Sequence, residues 1–246
     1  MERSEVTSLY KYRAFNKYSL QSLINEVVWF STPASFNDPF DCGIHVDEQK
    51  MEESVRAAVE EAYSKAGKST DQIPPGKLEA QEEDKQAFQK FRSSVYDLFQ
   101  SAGIFSLSCI DNDILMWSHY ADSHRGFCIE YSRTPDNILG EQAEPVRYQN
   151  DLPSLSAGDV AGSGGGIDKL WLTKSAHWSY EEEWRVIHTE GGKAFQFPCE
   201  IKSVIFGLKM SDQNRYTIRR ILENRNITFK EATKDERKFA IRISDA

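Results

Sequence analysis

The stretch Ser179-Tyr180-Glu181-Glu182-Glu183-Trp184-Arg185-Val186 concentrates the residue types best suited to chemistry. Read as a strand from Tyr180 to Thr189, it sends alternate side chains to opposite faces. Tyr180, Glu182, Trp184 and Val186 then share one face, and Glu181, Glu183, Arg185 and Ile187 share the other. If Trp184 and Val186 pack on the core, two carboxylates and a guanidinium project together from the opposite side. Glutamate is a poor strand former, so three in a row conflict with local propensity, and such conflicts mark functional sites. The plainer alternative is a solvated edge strand in which Arg185 pairs with Glu183.

Three further groups carry chemical potential. In Leu9-Tyr10-Lys11-Tyr12-Arg13, alternation puts Lys11 and Arg13 on one strand face and the two tyrosines on the other. Two cations side by side suit a diphosphate, because a guanidinium offers forked donors to phosphate oxygens. The loop around Ser31, Thr32, Asn37 and Asp38 supplies hydroxyls for a ribose or an amide, while Asn37 and Asp38 also suit the bracing of a turn. His119 falls on an expected helix and His124 in the turn beyond it, just before a strand. Cys109 or Cys128 with His119 forms a nucleophilic pair on residue counting alone, against the reading of both cysteines as small core residues. No H-E-x-x-H or carboxylate-rich metal loop occurs, so no metal is expected.

The elements that must position these groups follow from periodicity. Leu9–Phe15 reads as a strand, Lys17–Val28 as a helix with Leu20, Leu23, Ile24 and Val27 on one stripe, and Val28–Thr32 as a second strand stopped by Pro33. Two amphipathic helices are expected between Lys50 and Ala102, separated by a Gly- and Pro-containing linker at Gly67–Gly76. Strands are expected at Ile104–Ile110, Gly126–Ser132 and Pro145–Gln149, with Asp111 capping a short helix through Tyr120. Gly158–Gly166 holds five glycines and reads as a surface loop, since it lacks the lysine of a phosphate-binding loop. A helix at Asp168–Trp178, a strand at Ile201–Phe206, a helix capped by Ser211 and closing strands at Thr228–Ala232 and Lys238–Ile243 complete the pattern. Without a steady βαβ rhythm the expected class is α+β, a mixed and mainly antiparallel sheet body. It would form a single domain over residues 1–246, with a helical insertion near 50–102.

Length and charge set the outer bounds. The 246 residues suffice for a sizeable core, and 30 Lys+Arg against 38 Asp+Glu give a formal charge of −8. That balance argues against coating nucleic acid through bulk charge, though not against reading a nucleotide in a local pocket. No apolar run approaches the roughly 18–20 residues of a membrane span, and Met1–Thr7 has no apolar core, so neither a membrane nor a signal peptide is expected. Four cysteines without C-x-x-C spacing suit a cytoplasmic protein with reduced thiols.

The series YKYR at Tyr10–Arg13, WFSTPASFNDPFD at Trp29–Asp41, LMWSHYADSHRGFCIEY at Leu115–Tyr131 and WSYEEEWRVI at Trp178–Ile187 closely resembles a microbial family, domain of unknown function 2971. A second resemblance, of pattern, is to ADP-ribosyltransferases, which carry an Arg or His on a first strand, a Ser/Thr-rich strand end and a later Glu-x-Glu. Arg13, Ser31-Thr32 and Glu181-x-Glu183 match in type and order. That resemblance implies an ADP-ribosyltransferase-like fold and NAD as the substrate. Arg13, with Lys11 beside it, would hold the NAD phosphates or ribose, and Ser31 and Thr32 would support the nicotinamide pocket. Glu183 would stabilise the developing cation, and Glu181 would orient a protein or nucleic-acid acceptor. The expected function is NAD-dependent ADP-ribosyl transfer or NAD cleavage, of a toxin or phage-defence type. The alternatives are a hydrolase or nuclease using His119 and His124, and a non-enzymatic binding module.

Overall fold

The structure is a computed structural model that describes residues 5–43, 45–46, 48–74, 82–155 and 168–246. The chain begins with β1 (Ser8–Arg13), α1 (Lys17–Asn25), β2 (Val27–Phe30), β3 (His45–Val46), α2 (Glu48–Lys65), α3 (Glu82–Ser101), β4 (Gly103–Ser108) and α4 (Ile114–Tyr120). It continues with β5 (Phe127–Ser132), α5 (Ile138–Gln142), β6 (Glu144–Pro145), β7 (Arg147–Gln149), β8 (Ser154–Leu155), α6 (Asp168–Trp171) and β9 (Thr173–Ser175). After a 3-10 helix at Ala176–Glu181 come β10 (Glu183–His188), β11 (Lys193–Gln196), β12 (Ile201–Phe206), α7 (Asp212–Ile221), β13 (Thr228–Lys234) and β14 (Ile241–Asp245). The fold is α+β. The expected glycine loop Gly158–Gly166 and the Pro75-Gly76 end of the linker lie outside the described residues.

The chain divides into two compact units. The first comprises Met1–Thr32, Ala102–Tyr148 and Ala176–Ala246. It holds an eight-stranded sheet in the order β14-β13-β12-β5-β1-β4-β10-β6, antiparallel throughout except for the parallel β12–β13 pair. A small antiparallel sheet of β2 and β11 belongs to the same unit. Both faces of the large sheet are covered. On one, Leu9, Leu107, Ile129, Trp184 and Val204 pack with Leu23 of α1, Leu139 of α5 and Ile218 of α7. On the other, Tyr12, Cys128 and Ile205 pack with Met116 and Trp117 of α4. The Gly126–Phe127 turn into β5 needs its glycine, because a Cβ on Gly126 would stand 2.0 Å from the Arg13 carbonyl oxygen.

The second unit comprises Pro33–Ser101 and Gln149–Ser175. It contains both helices expected in the insertion, α2 and α3, together with the parallel β3–β8 pair. Phe99 on α3 stacks on Trp171 at 5.8 Å between ring centroids.

Local chemistry explains where the elements stop. Asn16 caps α1 by accepting the Ser19 N–H at 3.0 Å, and the left-handed Glu26 (φ 56°) ends it at Asn25, short of the expected Val28. The cap of α4 is Asp113, which accepts the Met116 N–H at 2.9 Å, rather than Asp111. Ser211 caps α7 as its type predicts, accepting the Asn214 N–H. The expected helix from Asp168 ends at Trp171, and the chain turns into β9.

The largest departure lies at the glutamate run. The strand expected from Tyr180 starts only at Glu183, which pairs with Ser108, the last residue of β4. Beyond that pair the chain end of β4 holds residues 181 and 182 by single bonds, Ser108 Oγ to the Glu181 carbonyl and the Cys109 N–H to the Glu182 carbonyl at 3.0 Å. Glu182 takes a left-handed conformation (φ 45°), and the preceding residues close into the 3-10 helix.

Candidate functional site

Antiparallel register determines which side chains share a sheet face. Ser203, Glu130, Tyr10, Ser108 and Glu183 are successive cross-strand partners from β12 to β10 and form one polar row. This row lies on the face that α4 covers, as does Arg185, two residues along β10 from Glu183. Lys11 and Arg13 alternate with Tyr10 and Tyr12 and therefore point to the opposite face, beside Leu9. The two expected halves of the site, phosphate-holding cations and paired carboxylates, stand on opposite sides of the sheet.

Lys11 Nζ donates to the Ser106 carbonyl and sits 5.2 Å from the Phe105 ring centroid. Burial lowers the pKa of the Arg13 guanidinium, opposed by the nearby Tyr131.

Glu183 and Arg185 do share a face, but not a solvated one. Arg185 is 0% and Glu183 5% exposed. Arg185 donates from Nε to Glu183 Oε1 at 2.7 Å and from Nη2 to Oε2 at 2.9 Å. The Glu183 N–H donates to Tyr148 Oη at 2.8 Å, and the Glu183 carbonyl accepts the Val146 N–H.

Glu181 does not lie two residues along the same strand. It ends the 3-10 helix, is 3% exposed, and accepts the Tyr120 hydroxyl on Oε1. Its carbonyl accepts Ser108 Oγ at 2.6 Å, which fastens the 3-10 helix to the end of β4. Around it the rings form a chain. His119 lies 6.3 Å from Tyr120 and 6.4 Å from Tyr180, and Tyr180 lies 6.0 Å from Trp178. His119 is exposed, and the other three rings are half-buried. Beneath them Tyr12 donates to the Ile110 carbonyl at 2.9 Å and meets Trp117 edge-on at 5.2 Å.

His124 pairs instead with Ser118, Nε2 to Oγ at 3.0 Å, while its buried Nδ1 has no partner among the described residues. Burial, then Lys209 and Lys234, lower its pKa. It ends a run of three left-handed residues, Asp122, Ser123 and His124. Burial raises the Cys109 and Cys128 thiols above their ordinary value, which opposes a thiolate nucleophile.

Ser31 is bound through its backbone to Ile104, its N–H donating at 3.0 Å and its carbonyl accepting at 2.8 Å, and both Ser31 and Thr32 are half-buried. In the second unit Asp38 Oδ1 accepts the Phe40 N–H at 2.9 Å, an Asx turn, and Asn37 is exposed. Asp41 pairs with Lys174 at 3.3 Å. Among the described residues no group of three or more His, Cys, Asp or Glu is placed to hold a metal ion. No helix among them is long and apolar enough to cross a membrane.

Glu130 is the buried carboxylate that residue spacing did not single out. It accepts Ser8 Oγ at 2.8 Å, Ser203 Oγ at 2.5 Å, Lys202 Nζ at 2.7 Å and Lys230 Nζ at 2.9 Å. Burial pushes its pKa up, but these four donors outweigh burial and hold it at about 2. The only sequence signal was its place on the polar side of the alternating Phe127–Ser132 strand. Its donors come from three other strands, and no local pattern announces them.

The region in which α4, Glu130, Glu181 and Glu183 fall also carries the family likeness. Residues 116–186 match a family model described as Protein of unknown function (DUF2971). The matched segment begins on α4 and ends on β10, taking in Tyr120, Glu130, Tyr148, Glu181, Glu183 and Arg185. Lys11, Arg13, Ser31 and Thr32 fall outside it. No curated protein and no solved structure matches the chain.

Proposed function

We propose that the α4 face of the large sheet binds a nucleotide, and that Glu181 and Glu183 act on its glycosidic bond. The reaction would be NAD cleavage, or ADP-ribosyl transfer to a protein or nucleic-acid acceptor. One observation carries this reading: a buried carboxylate, Glu181, is held by Tyr120 beside the half-buried rings of Tyr180 and Trp178. Flat rings suit a planar heterocycle. A carboxylate beside it stabilises positive charge where that charge develops. In this reaction the C1′–N bond breaks with its electron pair leaving on nicotinamide. The acceptor oxygen bonds C1′, and its proton passes to the Glu181 carboxylate. Lys11 and Arg13 take no part in this version, because they face the other side of the sheet.

A second reading, a non-enzymatic binding module, is favoured by the closed Glu183–Arg185 pair, which leaves Glu183 neutralised by a buried partner. Nicotinamide release from NAD separates the two readings. It is measured for the wild type, Glu181→Gln and Glu183→Gln, with calorimetric NAD binding and a thermal melt as the folding control. Release that both folded variants lose supports the enzyme. NAD binding without release supports the module, and absence of both overturns the nucleotide reading.

A further inference from the structure

On the opposite face of the sheet from Glu183, a cavity of about 390 Å³ opens where the end of α1, the start of β12 and the α7–β13 connection meet. Its apolar wall is Phe197, Ile201 and Ile227, and its polar rim carries Glu26, Glu200 and Arg225. Local structure fixes this rim. Glu26 adopts the left-handed conformation that ends α1, and its carbonyl accepts the Phe197 N–H at 2.9 Å, which ties the apolar wall to the helix end. Phe197 in turn packs against Tyr131 of the core at 5.9 Å between centroids.

The guanidinium of Arg225 is only partly used. Its Nη2 donates to the Leu23 carbonyl at 3.1 Å and meets Glu26 Oε1 at 2.9 Å. Its Nε and Nη1 make no hydrogen bond among the described residues, although a guanidinium presents five N–H donors. Glu200 is exposed and has no ion-pair or hydrogen-bond partner among the described residues. The rim therefore offers unused cationic donors, a separate unused carboxylate and an apolar wall. Two rim carboxylates against one guanidinium disfavour a simple anion. A molecule carrying both charges meets each with its opposite.

We infer that this cavity is a binding site for a small zwitterion of the amino-acid class with an apolar side chain. Its carboxylate meets Arg225, its ammonium meets Glu200, and its side chain lies on Phe197, Ile201 and Ile227. The site is independent of the nucleotide reading, because no residue is shared between them. The volume lies in the range of small-molecule sites.

Calorimetric titration of the full chain with L-leucine tests this, with 4-methylpentanoate and 3-methylbutylamine as probes that each lack one charge. Saturable leucine binding is expected, with each single-charge probe weaker by about tenfold or more, the loss of one charge-assisted hydrogen bond. Glu200→Gln should weaken leucine by a similar factor without lowering the melting temperature, since its side chain is exposed. Arg225→Met should do the same, but it also frees the Leu23 carbonyl, so Glu200→Gln decides if Arg225→Met fails to fold. Absence of saturable leucine binding overturns the inference. Equal binding of all three probes, or leucine affinity unchanged in folded Glu200→Gln, does so too.

Discussion

Arg185 and Glu183 form a two-point ion pair inside a single strand, with 0% and 5% of their surfaces exposed. They lie two residues apart on one face of β10, which pairs with β4 along its whole length. Removing one partner strands a buried charge.

Arg185→Met is therefore expected to lower stability by about 3–5 kcal/mol in urea unfolding, while Arg185→Met with Glu183→Leu recovers a substantial part of that loss. Arg185→Lys should restore little, because a lysine cannot make the forked contact. A double variant no more stable than Arg185→Met would show that the pair is not the unit of stability.

Acid should unfold the protein partly through Glu130. Its folded pKa of about 2 lies below the ordinary 4.5. A depressed carboxylate stabilises the fold above its unfolded pKa and loses that contribution as pH falls through the folded value. The urea midpoint should thus decline between about pH 4.5 and pH 2, and Glu130→Gln should be less stable at pH 7 with a flatter profile in that window. Parallel profiles for wild type and variant would contradict this.

Tyr12 and Trp117 anchor α4 to the sheet by an edge-on ring contact. Tyr12→Phe keeps the ring and loses the hydrogen bond to the Ile110 carbonyl, for an expected cost of about 1–2 kcal/mol. Trp117→Ala opens a cavity at a fully buried position and should cost about 3–5 kcal/mol. Chemical denaturation ranks the two, and a larger loss from Tyr12→Phe would reverse the assignment of what holds α4.

The left-handed Glu182 gives a backbone test. Glu182→Gly should be neutral or stabilising, because glycine reaches φ 45° without the steric cost of a side chain. Glu182→Ile should lose about 1–2 kcal/mol, since a β-branched side chain tolerates that conformation poorly. A melting temperature at or above the wild type for Glu182→Gly and below it for Glu182→Ile is the expected result.

Elements governed by nearest neighbours were legible in the chain. The apolar stripe of Leu20, Leu23 and Ile24 specifies α1, Ser211 specifies the start of α7, and the alternation through Phe127–Ser132 specifies β5. The Tyr180–Thr189 reading failed at its first three residues because strand content depends on a partner. β4 ends at Ser108, so Tyr180 and Glu181 had no edge to pair with. Trp184 and Val186 do pack on the core, yet Glu183 and Arg185 are buried as well, paired with each other on the opposite face of β10.

By itself the sequence determined the α+β class and most element positions, consequences of side-chain period and short spacing. It offered the pairing of Arg185 with Glu183 as one alternative, on a solvated strand, whereas the pair is buried. Only the tertiary structure decided which face each strand turns toward which neighbour. Register set Tyr10 between Glu130 and Ser108, and so put Arg13 and Glu183 on opposite sides of one sheet. It also gathered Ser8, Lys202, Ser203 and Lys230 around Glu130 from three strands far apart in the chain. Period alone fixes which residues of a strand share a face, whereas the choice between the two faces is made by everything that packs against the sheet.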